Sequence, residues 1–199
     1  VGDDIEYSLV VDEESGKQIY LATERLDQYQ GDSEFRVVKT LLGKDLVGRR
    51  YEPVFDYFAD KADEGAFVVI SGDYVTTDSG TGLVHQAPAF GEEDYKAFQA
   101  AGLEAFACPV SLHGEFTDEV PDFAGRHVKE ADKDIISALK AKDALYRQDV
   151  IQHSYPYCYR SDTPLIYRAI PSWYVRVTAF KDNLKAVSYT HLTLPTIAG

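Results

Sequence analysis

The chain has 199 residues, 45% hydrophobic and 27% charged, with a formal net charge of -13. The apolar fraction is that of a globular protein and excludes wholesale disorder, and no run of about 18 apolar residues is present to cross a membrane. The acidic balance, 33 Asp+Glu against 20 Lys+Arg, argues against a stand-alone nucleic-acid binder, which neutralises phosphates with a basic face.

In chain order, Ile5, Tyr7 and Leu9 alternate with polar residues and run into Val10-Val11, the pattern of a strand. Residues 12–16 form an acidic turn and Gln18-Ile19-Tyr20-Leu21-Ala22 returns as a second strand, so a hairpin is predicted. Thr23 is the expected N-cap of a short helix over residues 24–30. Residues 35–42 read as a strand that Gly43 breaks, and residues 48–53 are irregular ahead of Pro53. Phe67-Val68-Val69-Ile70 has the pattern of a buried strand, and Leu83-Val84-His85 that of a strand end. A helix is predicted over residues 91–101, with Glu92, Glu93 and Asp94 in its first turn and Gly102 as its stop. Val128, Ala131, Ile135 and Leu139 share one face of a helix over residues 128–141. Residues 145–159 are aromatic and strand-like. Because strands and helices do not alternate strictly, the expected fold is a mixed α/β one, a barrel-like sheet with peripheral helices, rather than a doubly wound sheet.

Three features concern the origin of the chain. There is no methionine, and Val1-Gly2-Asp3-Asp4 lacks the basic and apolar stretches of a signal peptide, so an internal slice of a longer polypeptide is expected. Cys108 and Cys158 form no CxxC and are read as buried thiols of a reducing compartment. Residues 187–199 (VSYTHLTLPTIAG) carry no Asp, Glu, Lys or Arg and resemble a translated sequencing adapter. The expected organisation is therefore one domain over residues 1–186 and a non-native tail over residues 187–199.

The chemistry concentrates in Ser79-Gly80-Thr81-Gly82-Leu83-Val84-His85-Gln86-Ala87-Pro88-Ala89-Phe90-Gly91-Glu92-Glu93-Asp94-Tyr95. Two glycines allow close backbone approach, a strand ends at His85, and a proline-containing loop leads to a helix starting near Asp94. His85 and Asp94, nine residues apart, are expected to face the mouth of one loop. An acid in the first turn of a helix stays ionised, which makes Asp94 a seat for a ligand's ammonium group. Rival patterns fit less well. A dinucleotide fingerprint needs glycine where His85 stands, and the Gly-x-Ser-x-Gly of a nucleophile elbow is absent. The histidines and cysteines do not sit at zinc-ligand spacing, so no metal is expected.

Residues 80–95 match the pattern G-T-G-x-V-H-x-A-P-x-x-G-x-x-D-Y, and in this they resemble the editing domain of isoleucyl-tRNA synthetases. Residues 116–139 resemble the same family. So does the stretch His153-Ser154-Tyr155-Pro156-Tyr157-Cys158-Tyr159-Arg160-Ser161-Asp162-Thr163-Pro164-Leu165-Ile166-Tyr167-Arg168-Ala169, followed by Pro171-Ser172-Trp173-Tyr174-Val175. In the family, that second stretch leads from the editing insertion back toward the catalytic core. Valine enzymes of this class carry Lys, and leucine enzymes Met, where His85 stands, which favours the isoleucine type. The Tyr51-Glu52-Pro53 and Arg160-Ser161-Asp162-Thr163-Pro164 runs are similar to the eukaryote-like subgroup.

The resemblance implies hydrolysis of valine mischarged onto the isoleucine tRNA. A binding pocket gains only about 1–3 kcal/mol from one methylene, the isoleucine–valine pair being the standing example of that limit. A second, smaller site that admits valine then clears the error. By resemblance, Asp94 grips the substrate α-amino group and His85 lines the side-chain pocket. Gly80, Thr81, Gly82 and Phe90 lie against the terminal adenosine and amino acid. The implied partners are the tRNA acceptor end and the rest of the synthetase in cis, with no membrane and a cytoplasmic location. The domain itself needs no cofactor; ATP and magnesium belong to the synthetic core. Neither His-x-Gly-His nor a Lys-Met-Ser-Lys-Ser loop occurs in this sequence. The family's threonine-rich editing peptide lies upstream of the residue matching Val1. The other readings are a valine-type editing domain and a non-catalytic acidic interaction domain.

Overall fold

The computed structural model describes residues 1–30, 34–150 and 154–191. It divides into two units, Val1–Ala169 and Ile170–Gly199.

The first unit is built on three antiparallel strands, β1 (Glu6–Asp12), β2 (Gln18–Ala22) and β3 (Phe35–Leu42), in the order β2-β1-β3. β1 is central, and its register pairs Tyr7 with Ala22 on one side and with Leu41 on the other. Covered on both faces, β1 buries Tyr7, Ser8 and Val10 at 1% exposure or less. The polar members of that set are satisfied. Ser8 Oγ shares a hydrogen bond with Thr23 Oγ1 (2.9 Å), and the Tyr7 hydroxyl donates to Gly82 O (2.7 Å) while accepting from Gly2 N (3.1 Å). One apolar cluster joins Val1, Tyr7, Ala22, Leu41 and Leu46, with Val69 and Leu83 packed against it.

The bond from Thr23 to Ser8 corrects the expected N-cap. Thr23 already belongs to a 3-10 turn, Thr23–Arg25, whose N-cap is Ala22, and the helix proper, α1, runs over Leu26–Gln30. The sheet corrects the expected barrel. Among the described residues it is open, with three strands. Residues 67–70 form no ladder: they meet residues 48–51 around the isolated bridge of Arg50 with Val68, and Ile70 O accepts from the Val1 amino group (3.0 Å). Residues 145–150 and 154–159 form no ladder beyond the isolated bridge of Tyr157 with Pro164. Residues 67–70 are half-buried, but most of the described residues between 145 and 159, Val150 and Tyr159 among them, are exposed, so apolar and aromatic composition there does not mark a buried strand.

Two helices follow in this unit, α2 (Glu92–Ala100) and α3 (Val128–Ala141). Ala131 of α3 is fully buried with Val120 and Phe123, and Ile135, Ala138, Tyr57, Phe58 and Phe116 pack on them, so the expected apolar face is the buried one. His127 caps α3 by accepting from Lys129 N through Nδ1 (3.2 Å). Cys108 and Cys158 are half-buried free thiols. The second unit contains a 3-10 turn, Val177–Ala179, and α4 (Lys181–His191), which runs through residue 187, where the charge-free tail begins. Residues 192–199 of that tail, like His153 of the second family-like stretch, lie outside the described residues. No helix among the described residues is long and apolar enough to cross a membrane.

The hairpin tip is fastened by Asp12, which is 4% exposed. Its carboxylate accepts from Ser15 Oγ (2.7 Å), the Tyr146 hydroxyl (3.0 Å) and Glu14 N (3.0 Å). The Ser15 hydroxyl chiefly, then Tyr146 and the backbone N–H groups, hold its pKa below 3.8 against the opposing effect of burial. A carboxyl with a lowered folded pKa stabilises the fold above its unfolded value, and that contribution disappears as pH falls through the folded value. Asp12→Asn is expected to lower the melting temperature at about pH 7 and to lessen the further drop between about pH 5 and pH 2. Melting curves of both proteins across that range check this; parallel pH profiles would refute it.

Candidate functional site

The glycine turn sits directly on the sheet. Gly80 (φ 64°) and Gly82 (φ 77°) both occupy the left-handed region that favours glycine. Between them, Thr81 O accepts from Ala22 N (2.8 Å), which ties the turn to the end of β2. Arg25 clamps its outer side, donating from Nε to Gly80 O (2.9 Å) and from Nη1 to Asp78 O (3.3 Å). The sequence pattern did not single out Arg25, since the contact spans 55 residues.

From this turn the chain passes through Leu83, Val84 and His85, which form no strand, contrary to the expected strand end. His85 is exposed and lines an open cavity of about 560 Å³, whose walls include Val1, Tyr51, Phe67, Ile70, Leu83 and Phe98. Its walls are mostly apolar, with one imidazole among them. Phe90 is half-buried and closes a tight turn by donating from its N to Ala87 O (2.8 Å). Neither Phe90 nor Asp94 lines the cavity that His85 lines.

Asp94 occupies the third position of α2 after the N-cap, Gly91. Its neighbours Glu92 and Glu93 both approach Lys96 (2.8 and 3.6 Å). Asp94 instead turns back over the loop: Oδ2 accepts from Ala87 N (3.1 Å) and Oδ1 from the Tyr74 hydroxyl (3.2 Å). Gln86 Nε2 donates in turn to the Tyr74 oxygen. A Cβ on Gly91 would lie 2.7 Å from Asp94 Oδ2, so glycine there leaves the carboxylate its room. Burial chiefly, with the Asp94 charge adding and the Gln86 bond opposing, raises the Tyr74 pKa, which keeps its hydroxyl a donor at neutral pH. Tyr74 and Gln86 are thus site residues that pattern reading missed; a contact across 20 residues leaves no periodic signal. Among the described residues the carboxylate is held by two neutral donors and no cation, so it is available to a positively charged ligand group.

No family model matches the chain. Among curated proteins, it is 55% identical over 188 residues to the isoleucine–tRNA ligase of Bdellovibrio bacteriovorus, covering 94% of the chain and 18% of that protein. It is 46% identical over 196 residues to the cytoplasmic isoleucine–tRNA ligase of Schizosaccharomyces pombe, again 94% of the chain and 18% of the relative. It is 52% identical over 154 residues to the cytoplasmic isoleucine–tRNA ligase of Arabidopsis thaliana, 75% and 13% respectively. The chain spans less than a fifth of the length of these relatives. With such identity sustained over nearly all of its residues, the chain belongs to the isoleucine–tRNA ligase family.

Proposed function

We propose that this chain is the editing domain of an isoleucine–tRNA ligase and that it hydrolyses valine mischarged onto the isoleucine tRNA. The observation that carries the reading is the loop over residues 80–95. It keeps every fixed position of the family pattern and supports both an imidazole on an apolar cavity and a carboxylate at a helix start.

An aminoacyl ester is already activated, so its hydrolysis needs a positioned water, a held ammonium group and donors for the developing oxyanion, without a protein nucleophile. Asp94 holds the α-ammonium. His85 borders the space that takes the valine side chain and excludes the larger isoleucine. Gly80, Thr81, Gly82 and Phe90 form the surface for the terminal adenosine. The domain uses no metal or cofactor for this step, and ATP with magnesium serves the synthetic core. The partners are the acceptor end of the tRNA and the remainder of the ligase in cis, in the cytoplasm. The charge of -13 is compatible with this arrangement if the remainder of the enzyme holds the phosphates.

The test is deacylation by the full-length ligase of Val-tRNA and Ile-tRNA, both charged on the isoleucine tRNA. Val-tRNA is expected to be cleared at least ~100-fold faster, and His85→Ala to narrow that ratio by admitting isoleucine. Equal rates for the two esters in the unmodified enzyme would refute the reading.

A further inference from the structure

Asp94 is held from two sides, by its own loop and by a segment that reaches it from elsewhere in the chain. The carboxylate torsion of an aspartate is broad and roughly two-fold, so one hydrogen bond leaves the group free to swing. The bond from Ala87 N to Oδ2 (3.1 Å) is such a bond. The Tyr74 hydroxyl, 3.2 Å from Oδ1, takes the other oxygen and fixes the plane. The direction of that second bond is set as well. A carboxylate accepts, so the phenol gives its one proton to Asp94 and its oxygen is left to accept. Gln86 Nε2 supplies the matching donor.

The surroundings put the hydroxyl in place. Val75 is 7% exposed and anchors the turn that carries Tyr74, which Val75 N closes by donating to Gly72 O (3.2 Å). A Cβ on Gly72 would stand 3.2 Å from Tyr74 Cε1, so glycine there leaves the ring its room. Tyr74, Gln86 and Asp94 are all half-buried, which strengthens their bonds relative to open surface. Gln86 also lines the cavity that His85 lines, so the chain Gln86–Tyr74–Asp94 joins the cavity wall to the helix start. Lys96, the one basic residue of α2, is drawn to Glu92 and Glu93 instead. Two neutral donors orient the carboxylate without neutralising it. A structural anchor is served equally well by a cation; a receptor for an ammonium group is not.

We propose that Tyr74 is a positioning residue for ester hydrolysis: held by Gln86, its hydroxyl fixes the Asp94 carboxylate in the orientation that receives the substrate α-ammonium group. This inference rests on the reading of Asp94 as the holder of that group. Tyr74 acts through Asp94 and touches no reacting atom. In that reading the remainder of the ligase holds the tRNA phosphates. A carboxylate that swings then lowers the fraction of bound ester in the reactive position, not the affinity for the tRNA.

Deacylation kinetics of Val-tRNA by the full-length ligase test it. Tyr74→Phe keeps the ring and loses only the hydroxyl; it is expected to lower kcat about 10-fold and to change KM less than about 2-fold. In an Asp94→Asn background the same substitution is expected to lower kcat less than about 2-fold further, because no carboxylate is left to orient. If Tyr74→Phe fails to fold, Gln86→Leu carries the test, with kcat expected to fall about 3-fold where Asp94 is present and to stay level where it is not. Equal losses with and without the Asp94 carboxylate overturn the proposal, because the hydroxyl then acts on its own. A loss confined to KM overturns it, and so does an undiminished kcat in Tyr74→Phe beside a slow Asp94→Asn; both leave the role of Asp94 standing. An Asp94→Asn enzyme with the full rate instead removes that role, and this inference with it.

Discussion

Asp94→Asn in the full-length ligase is expected to slow Val-tRNA deacylation about 100-fold while the melting temperature changes by no more than about 3 °C. The two effects separate because the proposed function gives Asp94 two tasks. Asparagine is nearly the same size and fits the room left by Gly91. Its carbonyl oxygen can still accept from Ala87 N, so the loop that closes on α2 keeps its fastening. The lost charge at the helix start costs about 0.3–1 kcal/mol, which accounts for the small thermal change. What asparagine cannot do is provide a charge-assisted bond to an ammonium group, worth roughly 3 kcal/mol in a partly desolvated site. Asp94→Ala removes both tasks and is expected to lose stability as well, since Ala87 N–H is then left without its acceptor. Deacylation rates and melting curves on the same preparations distinguish the cases. If Asp94→Asn keeps the full rate and only Asp94→Ala loses it, the carboxylate serves the loop and does not touch the substrate.

The parts of this fold that could be read from sequence are those whose cause is local. The apolar stripe of α3 fixes its span, and Gly91 with Gly102 brackets α2, so both helices lie where periodicity and caps put them. β3 likewise occupies the expected residues 35–42, ending where Gly43 begins a 3-10 turn. The misreadings share a cause that is not local. Thr23 has the chemistry of a cap, but a buried Ser8 hydroxyl on the adjacent strand takes its oxygen. Residues 67–70 have the composition of a central strand, but among the described residues only one of their edges carries a run of backbone bonds. The loop bearing His85 and Asp94 was legible for the same reason as the helices, its glycines and acid-rich first turn being neighbours in sequence. The Gln86–Tyr74–Asp94 chain was not, because Tyr74 enters from a separate segment.

The glycine turn offers the sharpest contrast in stability. Gly82→Ala is expected to destabilise the domain by roughly 2–4 kcal/mol and Gly80→Ala by about 1 kcal/mol, although both glycines have positive φ. The backbone contribution is alike at the two positions, about 1 kcal/mol for an alanine held in the left-handed region. The surroundings differ. A Cβ at Gly80 meets nothing within 4 Å, whereas one at Gly82 comes within 2.6 Å of Ala22 Cβ. Ala22 cannot give way easily. It is fully buried, it pairs with Tyr7 in the sheet, and its N–H is bonded to Thr81 O. Gly82 cannot retreat either, because its carbonyl accepts from the buried Tyr7 hydroxyl, which also holds Gly2 N. Overpacking at such a point costs about 1–3 kcal/mol beyond the backbone strain. For a domain of this size each kcal/mol lowers the melting temperature by roughly 2–4 °C, so Gly82→Ala is expected to melt about 5–15 °C lower and Gly80→Ala about 2–4 °C lower. Equal shifts for the two variants would mean that backbone strain alone governs the turn. A much larger shift for Gly82→Ala shows that contact with the end of β2 fixes where the turn, and with it the segment carrying His85, meets the sheet.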